Sequence, residues 1–182
     1  MKQIIKHFSF LSVLLGLLIL SGCVVTGTFV IDFHVSSTDM HESDEYTHFA
    51  IDLTDEDTWN DHKDKIKYID NVGFQLWLTN GSSEAMSATF YIDEYATSSA
   101  YTDSADVKAN ATLILTGLSA PAGPGAKVYV DWPTSLSMVR GIDKIRTFVE
   151  SGKFSIYSLN TSSDTEYTLD SANVIVTFTA GY

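Results

Sequence analysis

The chain has 182 residues and carries 23 acidic against 11 basic side chains, a net charge of −12 at pH 7, with a single cysteine. This balance argues against nucleic acid as a direct partner, because binding to phosphate backbones needs clustered lysine and arginine. One cysteine leaves no internal disulfide. The length predicts one domain that is held by its own hydrophobic core.

The first residues have the pattern of a signal peptide. Lys2 and Lys6 precede an apolar run of 13 residues from Phe8 to Leu20. A charged start followed by a short apolar stretch is typical of secretory signals. A permanent transmembrane helix is the weaker alternative, because it needs about 20 apolar residues.

The apolar run ends in Leu20-Ser21-Gly22-Cys23, which resembles the lipobox of bacterial lipoproteins. The resemblance covers residues 1–23 only. It implies that the Cys23 thiol carries a diacylglyceryl group, that the chain is cut just before it, and that the new amino terminus can be acylated. The alternative is a buried free thiol, which behaves as a small hydrophobe. Two or three acyl chains would anchor the protein effectively permanently, whereas one chain alone holds only marginally.

The resemblance sets the expected organisation: a signal peptide at 1–22, a lipidated terminus and short tether at 23–27, and one domain at 28–182. The signal segment holds two of the 11 basic residues and no acidic one, so the remainder carries 9 − 23 = −14. That charge disfavours contact between the domain and anionic lipid. We therefore expect a cell-envelope protein that meets the membrane through lipid on Cys23. In Gram-negative cells the sorting rule of this class favours the outer membrane, because Val24 stands where aspartate would retain the protein.

Apolar and polar residues then alternate with a period of two in about eight segments, which predicts strands. These segments are 29–35, 49–53, 72–78, 86–92, 110–118, 128–132, 154–158 and 174–178. Two segments, 54–67 and 143–151, change to helical spacing, and Gly152 follows the second as a helix terminator. Residues 36–47 and 96–106 are predicted loops. Without a βαβ rhythm, this pattern predicts an all-β, antiparallel sandwich, immunoglobulin-like or jelly-roll-like, with two short helices.

Three histidines, His34, His41 and His48, are spaced seven residues apart around the predicted loop at 36–47. If the flanking strands formed a hairpin, His34 and His48 would lie together near the loop base, and His41 could approach them. Three histidines with one open position form a catalytic-zinc ligand set. Separate surface histidines are the alternative, because nothing in the sequence fixes the second shell that such ligands need.

Aspartates cluster around the first predicted helix and suggest calcium. An EF-hand loop needs glycine at its sixth position and glutamate at its twelfth. Counted from Asp55, those positions hold Asn60 and Ile66. The pattern therefore fails, and helix capping with a solvated face is the simpler interpretation.

Trp77, Tyr91 and Tyr129 lie on predicted strands and could present aromatic faces to a sugar. The alternative is that they pack, as strand aromatics mostly do. A sugar-binding surface of this kind would need an exposed, coplanar Trp/Tyr pair.

Motifs of catalysis are missing from the sequence: there is no Gly-X-Ser-X-Gly, no His-Glu-X-X-His and no phosphate-binding glycine loop. We therefore expect no enzyme and no cofactor. The sequence favours a lipid-anchored binding or envelope-structural module, with an envelope protein or a glycan as its partner. The alternatives are a carbohydrate-binding sandwich that uses exposed aromatics and a metal-dependent hydrolase.

Overall fold

The computed structural model describes residues 24–33, 38–40, 46–160 and 166–181. These ranges contain nine strands. They are β1 (Val24–Phe33), β2 (Thr38–Met40), β3 (Thr47–Asp52), β4 (Ile66–Asn80), β5 (Met86–Asp93), β6 (Thr112–Ala120), β7 (Ala126–Val130), β8 (Lys153–Asn160) and β9 (Tyr167–Gly181).

The strands form two sheets in which every pairing is antiparallel. The five-stranded sheet has the order β1-β9-β4-β7, with β2 also paired to β9. The four-stranded sheet has the order β3-β8-β5-β6. The protein is thus mostly β, with two antiparallel sheets and a few helices, which is consistent with a β-sandwich.

Four α-helices and two 3₁₀ turns occur in the described ranges. The helices are α1 (Asp57–His62), α2 (Ser104–Asn110), α3 (Trp132–Met138) and α4 (Ile142–Ser151), and the 3₁₀ turns are Leu53–Asp55 and Lys63–Lys65. None of the helices in these ranges is long and apolar enough to cross a membrane. The helix predicted at 143–151 is confirmed, and Gly152 ends it with a left-handed φ of 78°, a conformation that glycine adopts without strain.

Two helices form where the sequence pattern predicted other structure. Helix α2 spans the end of the predicted loop at 96–106 and the start of the predicted strand at 110–118, because Asp103 accepts a hydrogen bond from the Asp106 amide and caps it. Helix α3 begins at Trp132, which the sequence pattern had placed at the end of the predicted strand at 128–132. There Asp131 caps the Thr134 amide, and a proline in the first turn costs no hydrogen bond.

Strand limits also differ from the predictions. β1 begins at Val24, inside the expected tether, and β2 forms within the predicted loop at 36–47. β9 begins at Tyr167, seven residues before the predicted segment at 174–178. These segments pair over long sequence distances, which local alternation does not report.

The core is built from both sheets and two helices. Residues of β4, β5, β6, β8 and β9 are buried in one apolar cluster, to which α1 contributes Trp59 and α4 contributes Ile145, Phe148 and Val149. Strand β5 alternates strictly between buried and half-buried positions, as its sequence predicts. A polar contact crosses the core: the Tyr167 hydroxyl lies 2.6 Å from the Ser158 hydroxyl on the other sheet. Burial raises the pKa of Tyr167 to about 12.

A cavity of about 70 Å³ remains inside this core. Only apolar residues of both sheets and α4 line it: Phe49, Ile51, Val72, Phe74, Leu76, Phe90, Ile92, Ile114, Leu115, Ile145, Val149, Phe154, Ile156, Leu169, Ala172 and Val174. The core between the two sheets is therefore incompletely filled.

Helix α3 covers an edge that pairing leaves open. β7 pairs with β4 only from Leu76 to Asn80, so the earlier part of β4 has no strand on that side. There Ser135 Oγ accepts a hydrogen bond from the Phe74 amide at 2.8 Å and donates to the Trp132 carbonyl at 2.8 Å. The indole of Trp132 lies directly over Gly73, where a Cβ atom would come within 2.5 Å of it.

Candidate functional site

Two of the three aromatic residues singled out from the sequence lie side by side. Trp77 of β4 and Tyr129 of β7 are directly paired across the five-stranded sheet. Their rings stack with centroids 4.9 Å apart and planes inclined by 29°. Tyr129 is 52% exposed, whereas Trp77 is half-buried. Because Leu76, Leu78 and Val130 beside them are buried, the alternation of the strands puts this aromatic pair on the outer face of the sheet.

A groove of about 660 Å³ runs over this pair. It is lined by Trp77, Lys127, Tyr129, Asp170 and Ser171, with Leu78 and Val128 beneath, and is called the outer groove below. Its volume lies within the range of small-ligand sites, about 300–1,000 Å³. The groove combines aromatic surface with one cation, one carboxylate and the hydroxyls of Ser171 and Tyr129.

A β-bulge places Asp170 in the groove. The register between β4 and β9 changes from Trp77↔Ser171 to Leu78↔Leu169, so Asp170 is the extra residue. A bulge re-aims the inserted side chain, and bulges are frequent beside functional sites. Thr79 Oγ1 donates a hydrogen bond of 2.7 Å to Asp170 Oδ2, which fixes the carboxylate next to the aromatic pair.

Amides border the other side of the aromatic pair. Gln75 Nε2 donates to the Tyr129 hydroxyl at 3.2 Å, and Asn173 Nδ2 donates to Gln75 Oε1 at 3.3 Å. The outer face thus has three rows across the strands. An amide row lies on one side of the aromatic row, and a row of Asp170, Thr79 and Lys127 lies on the other.

The arrangement suits a flat, hydroxylated ring that is apolar on its face and polar on its rim. Aromatic rings supply apolar contact area, and a few converging polar groups fix orientation. The pair is stacked and not coplanar, so the flat two-ring surface expected of an extended sugar-binding site does not form, and a sugar ring could pack against one aromatic ring only. Each ring covers one face of the other, so the aromatic surface that remains is smaller than that of a flat platform.

Tyr91, the third aromatic candidate, lies on the four-stranded sheet and away from the other two. It packs against a small cluster of Val107, Tyr157 and Leu159 under α2. Its position fits the packing alternative and not a shared aromatic surface with Trp77.

Of the three candidate zinc ligands, only His48 lies within the described residues; His34 and His41 fall outside them. The predicted hairpin between the two flanking strands does not form, because β1 and β3 belong to different sheets. His48 Nε2 lies 3.1 Å from Ser155 Oγ, and its ring is 5.0 Å from that of Tyr157. Burial lowers the pKa of His48 below 6.5. In the ranges that the structure covers, no three His, Cys, Asp or Glu residues are arranged to hold a metal ion.

Among the aspartates near α1, Asp52 has a capping and pairing role, and Asp55, Asp57, Asp61 and Asp64 are exposed. Asp52 accepts hydrogen bonds from the Thr54 amide and hydroxyl, and Lys153 Nζ lies 2.6 Å from its other oxygen. These contacts, the Lys153 bond first, lower the pKa of Asp52. This geometry agrees with the interpretation that the sequence favoured over calcium.

Sequence reasoning missed the residues that complete the groove: Lys127, Asp170 and Ser171. The predicted last strand began only at Val174, so Asp170 and Ser171 were in no predicted element. A local signal was present, since Tyr167 and Leu169 alternate with polar Thr168 and Asp170. No family model matches the chain, and no curated protein matches it either.

Proposed function

We propose that the protein is a lipid-anchored, extracytoplasmic β-sandwich that acts as a binding module, and that carbohydrate is its ligand. The immunoglobulin-like or jelly-roll-like assignment belongs to the same proposal. The Leu20-Ser21-Gly22-Cys23 motif supports lipid attachment at the cell envelope, and at the outer membrane in a Gram-negative cell. The single observation that supports the ligand class is the outer groove, in which the stacked Trp77 and Tyr129 lie between two polar rows.

The polar rows favour a sugar over an apolar ligand. A sugar ring presents C–H groups from its face and hydroxyls from its rim. The indole of Trp77 can pack against the first, while Asp170 and Ser171 can bond the second. An apolar ligand would leave these polar groups without water or partners, which costs free energy.

A protein partner is the competing occupant, because tryptophan and tyrosine are also enriched in protein–protein hot spots. The groove has the volume of a small-ligand site, whereas protein interfaces are formed by much larger buried areas. The small volume favours a glycan.

The test measures retention of the purified lipoprotein, in a detergent without a sugar head group, on a panel of immobilised envelope and plant polysaccharides. Trp77→Ala and Tyr129→Ala should each weaken binding about fivefold or more, as expected for losing about 1 kcal/mol of aromatic contact. Tyr68→Ala is the matched control, because Tyr68 lies on the same sheet, is 53% exposed and is absent from the groove lining. Absence of retention on every polysaccharide, or equal loss with Tyr68→Ala, would contradict the proposal. Capture of an envelope protein through Trp77 in its place would favour the competing occupant.

A further inference from the structure

The stacking geometry limits how much ligand the outer groove can hold. Trp77 and Tyr129 are directly paired on neighbouring strands, and their ring centroids are 4.9 Å apart. That distance equals the spacing between strands, about 4.7–4.9 Å. The two rings therefore stand face to face above their own strands, and no ligand ring fits between them.

Each ring has one face that its partner in the stack does not cover; Tyr129 is exposed, whereas Trp77 is half-buried. The free face of Trp77 is directed across β9, where Ser171 is its register partner and Asp170 is the bulge residue. The free face of Tyr129 is directed away from Trp77, toward the sheet edge. The two free faces are directed apart, so a second ring of a sugar chain would find no coplanar aromatic surface beside the first.

Asp170 is the polar group best placed to select the ring on Trp77. Its Oδ2 accepts the Thr79 hydroxyl, but a carboxylate has about four lone-pair positions. The remaining positions can accept ligand hydroxyls. A carboxylate is an acceptor only, and its charge repels an acidic sugar at the same position. Lys127 lies on β7, on the opposite side of Thr79 from Asp170. Its ammonium group is therefore farther from this ring position than the Asp170 carboxylate.

We propose that the outer groove holds one uncharged sugar ring, an isolated or terminal unit, stacked on Trp77 with its hydroxyls bonded to Asp170. This inference rests on the proposed function. It adds that internal units of a glycan chain contribute little, and that Asp170 sets the preference for neutral over acidic sugars.

Two series of ligands test the inference by ligand-observed NMR on the intact lipoprotein. The first compares one to six β-1,4-linked glucose units and one to six β-1,4-linked N-acetylglucosamine units. For the series that binds, affinity per molecule should change less than about threefold with length. The second compares the binding monosaccharide with its uronic acid, which should bind at least about fivefold more weakly.

Asp170→Asn supplies the matched variant, since asparagine keeps an oxygen for the Thr79 hydroxyl. It should weaken the neutral sugar and bring the neutral-to-acid ratio close to one, which a merely structural role for Asp170 would not do. Tenfold tighter binding of the longest chains, or an unchanged neutral-to-acid ratio in Asp170→Asn, would overturn this inference. If that binding still depended on Trp77, the proposed function would stand. Absence of binding in both series, together with no retention on polysaccharides, would overturn both.

Discussion

At the scale of single residues, His48 links stability to pH. Burial lowers its folded-state pKa below the unfolded value of 6.5, so the unfolded chain takes up the proton first as the pH falls. Stability should therefore decrease as the pH drops through 6.5 and level off below the folded-state pKa. Urea midpoints between pH 7.5 and 5 measure this effect. His48→Gln should flatten the dependence, and His62→Gln serves as the control. Equal pH slopes in the parent and in His48→Gln would contradict the assignment.

Cys23 is the residue on which the proposed location depends. If its thiol carries the anchor, metabolic labelling with an alkyne fatty acid should mark the parent protein, and Cys23→Ser should lose the label. The physical reason is that serine has no thiol to be alkylated, so the acyl chains are not attached at position 23. Equal labelling of the two proteins would refute the anchor.

At the scale of elements, Gly73 allows α3 to cover the open edge of β4. A methyl group there would lie 2.5 Å from Trp132 Cδ1 and 2.9 Å from Ser135 Oγ. Gly73→Ala should therefore displace the helix, weaken the bond between Ser135 and the Phe74 amide, and cost about 2 kcal/mol in urea unfolding, as overpacking generally does. Gly81→Ala is the comparison, because the Cβ atom added there would lie 3.3 Å from its nearest neighbour, Glu166 Cβ. A cost for Gly73→Ala no larger than that for Gly81→Ala would show that α3 is not held in this way.

Elements with strong local patterns were predictable, and elements set by caps or distant pairing were not. Alternation along β5 and the helical spacing before Gly152 both gave the right structure. Helix α2 depends on its cap Asp103 and helix α3 on its cap Asp131. Both helices lie in segments whose sequence pattern predicted a loop or a strand. Trp77 and Tyr129 were predictable as separate candidates. Their contact was not, because it depends on pairing between strands 52 residues apart in sequence and on a bulge that no local pattern shows.

At the scale of the whole molecule, the internal cavity lowers stability, and filling it should raise the free energy of unfolding. At about 24 cal/mol per Å³, 70 Å³ corresponds to about 1.7 kcal/mol. Ala172→Val adds two carbon atoms at the cavity wall and should raise stability by about 1 kcal/mol, or Tm by about 3 °C. Ala50→Val is the control for strand propensity, since Ala50 lies exposed on β3. Destabilisation by Ala172→Val, or an equal gain at Ala50, would show that the cavity is not fillable in this way.

The length of β9 sets the distance between the outer groove and the proposed lipid anchor. β9 pairs with β1 from Val24↔Gly181 onward, and Ser171 in the groove lies ten residues from Gly181 along the same strand. Ten residues of strand span about 33 Å. With the proposed lipid on Cys23, β1 starts beside the anchor, and the groove stands about 30 Å away from it along the strand direction. Neighbouring anchored molecules would then present their grooves at the same distance from their anchors. Several grooves could bind one surface that is dense in terminal sugars. The high effective concentration would then make the combined binding strong even if each contact is weak.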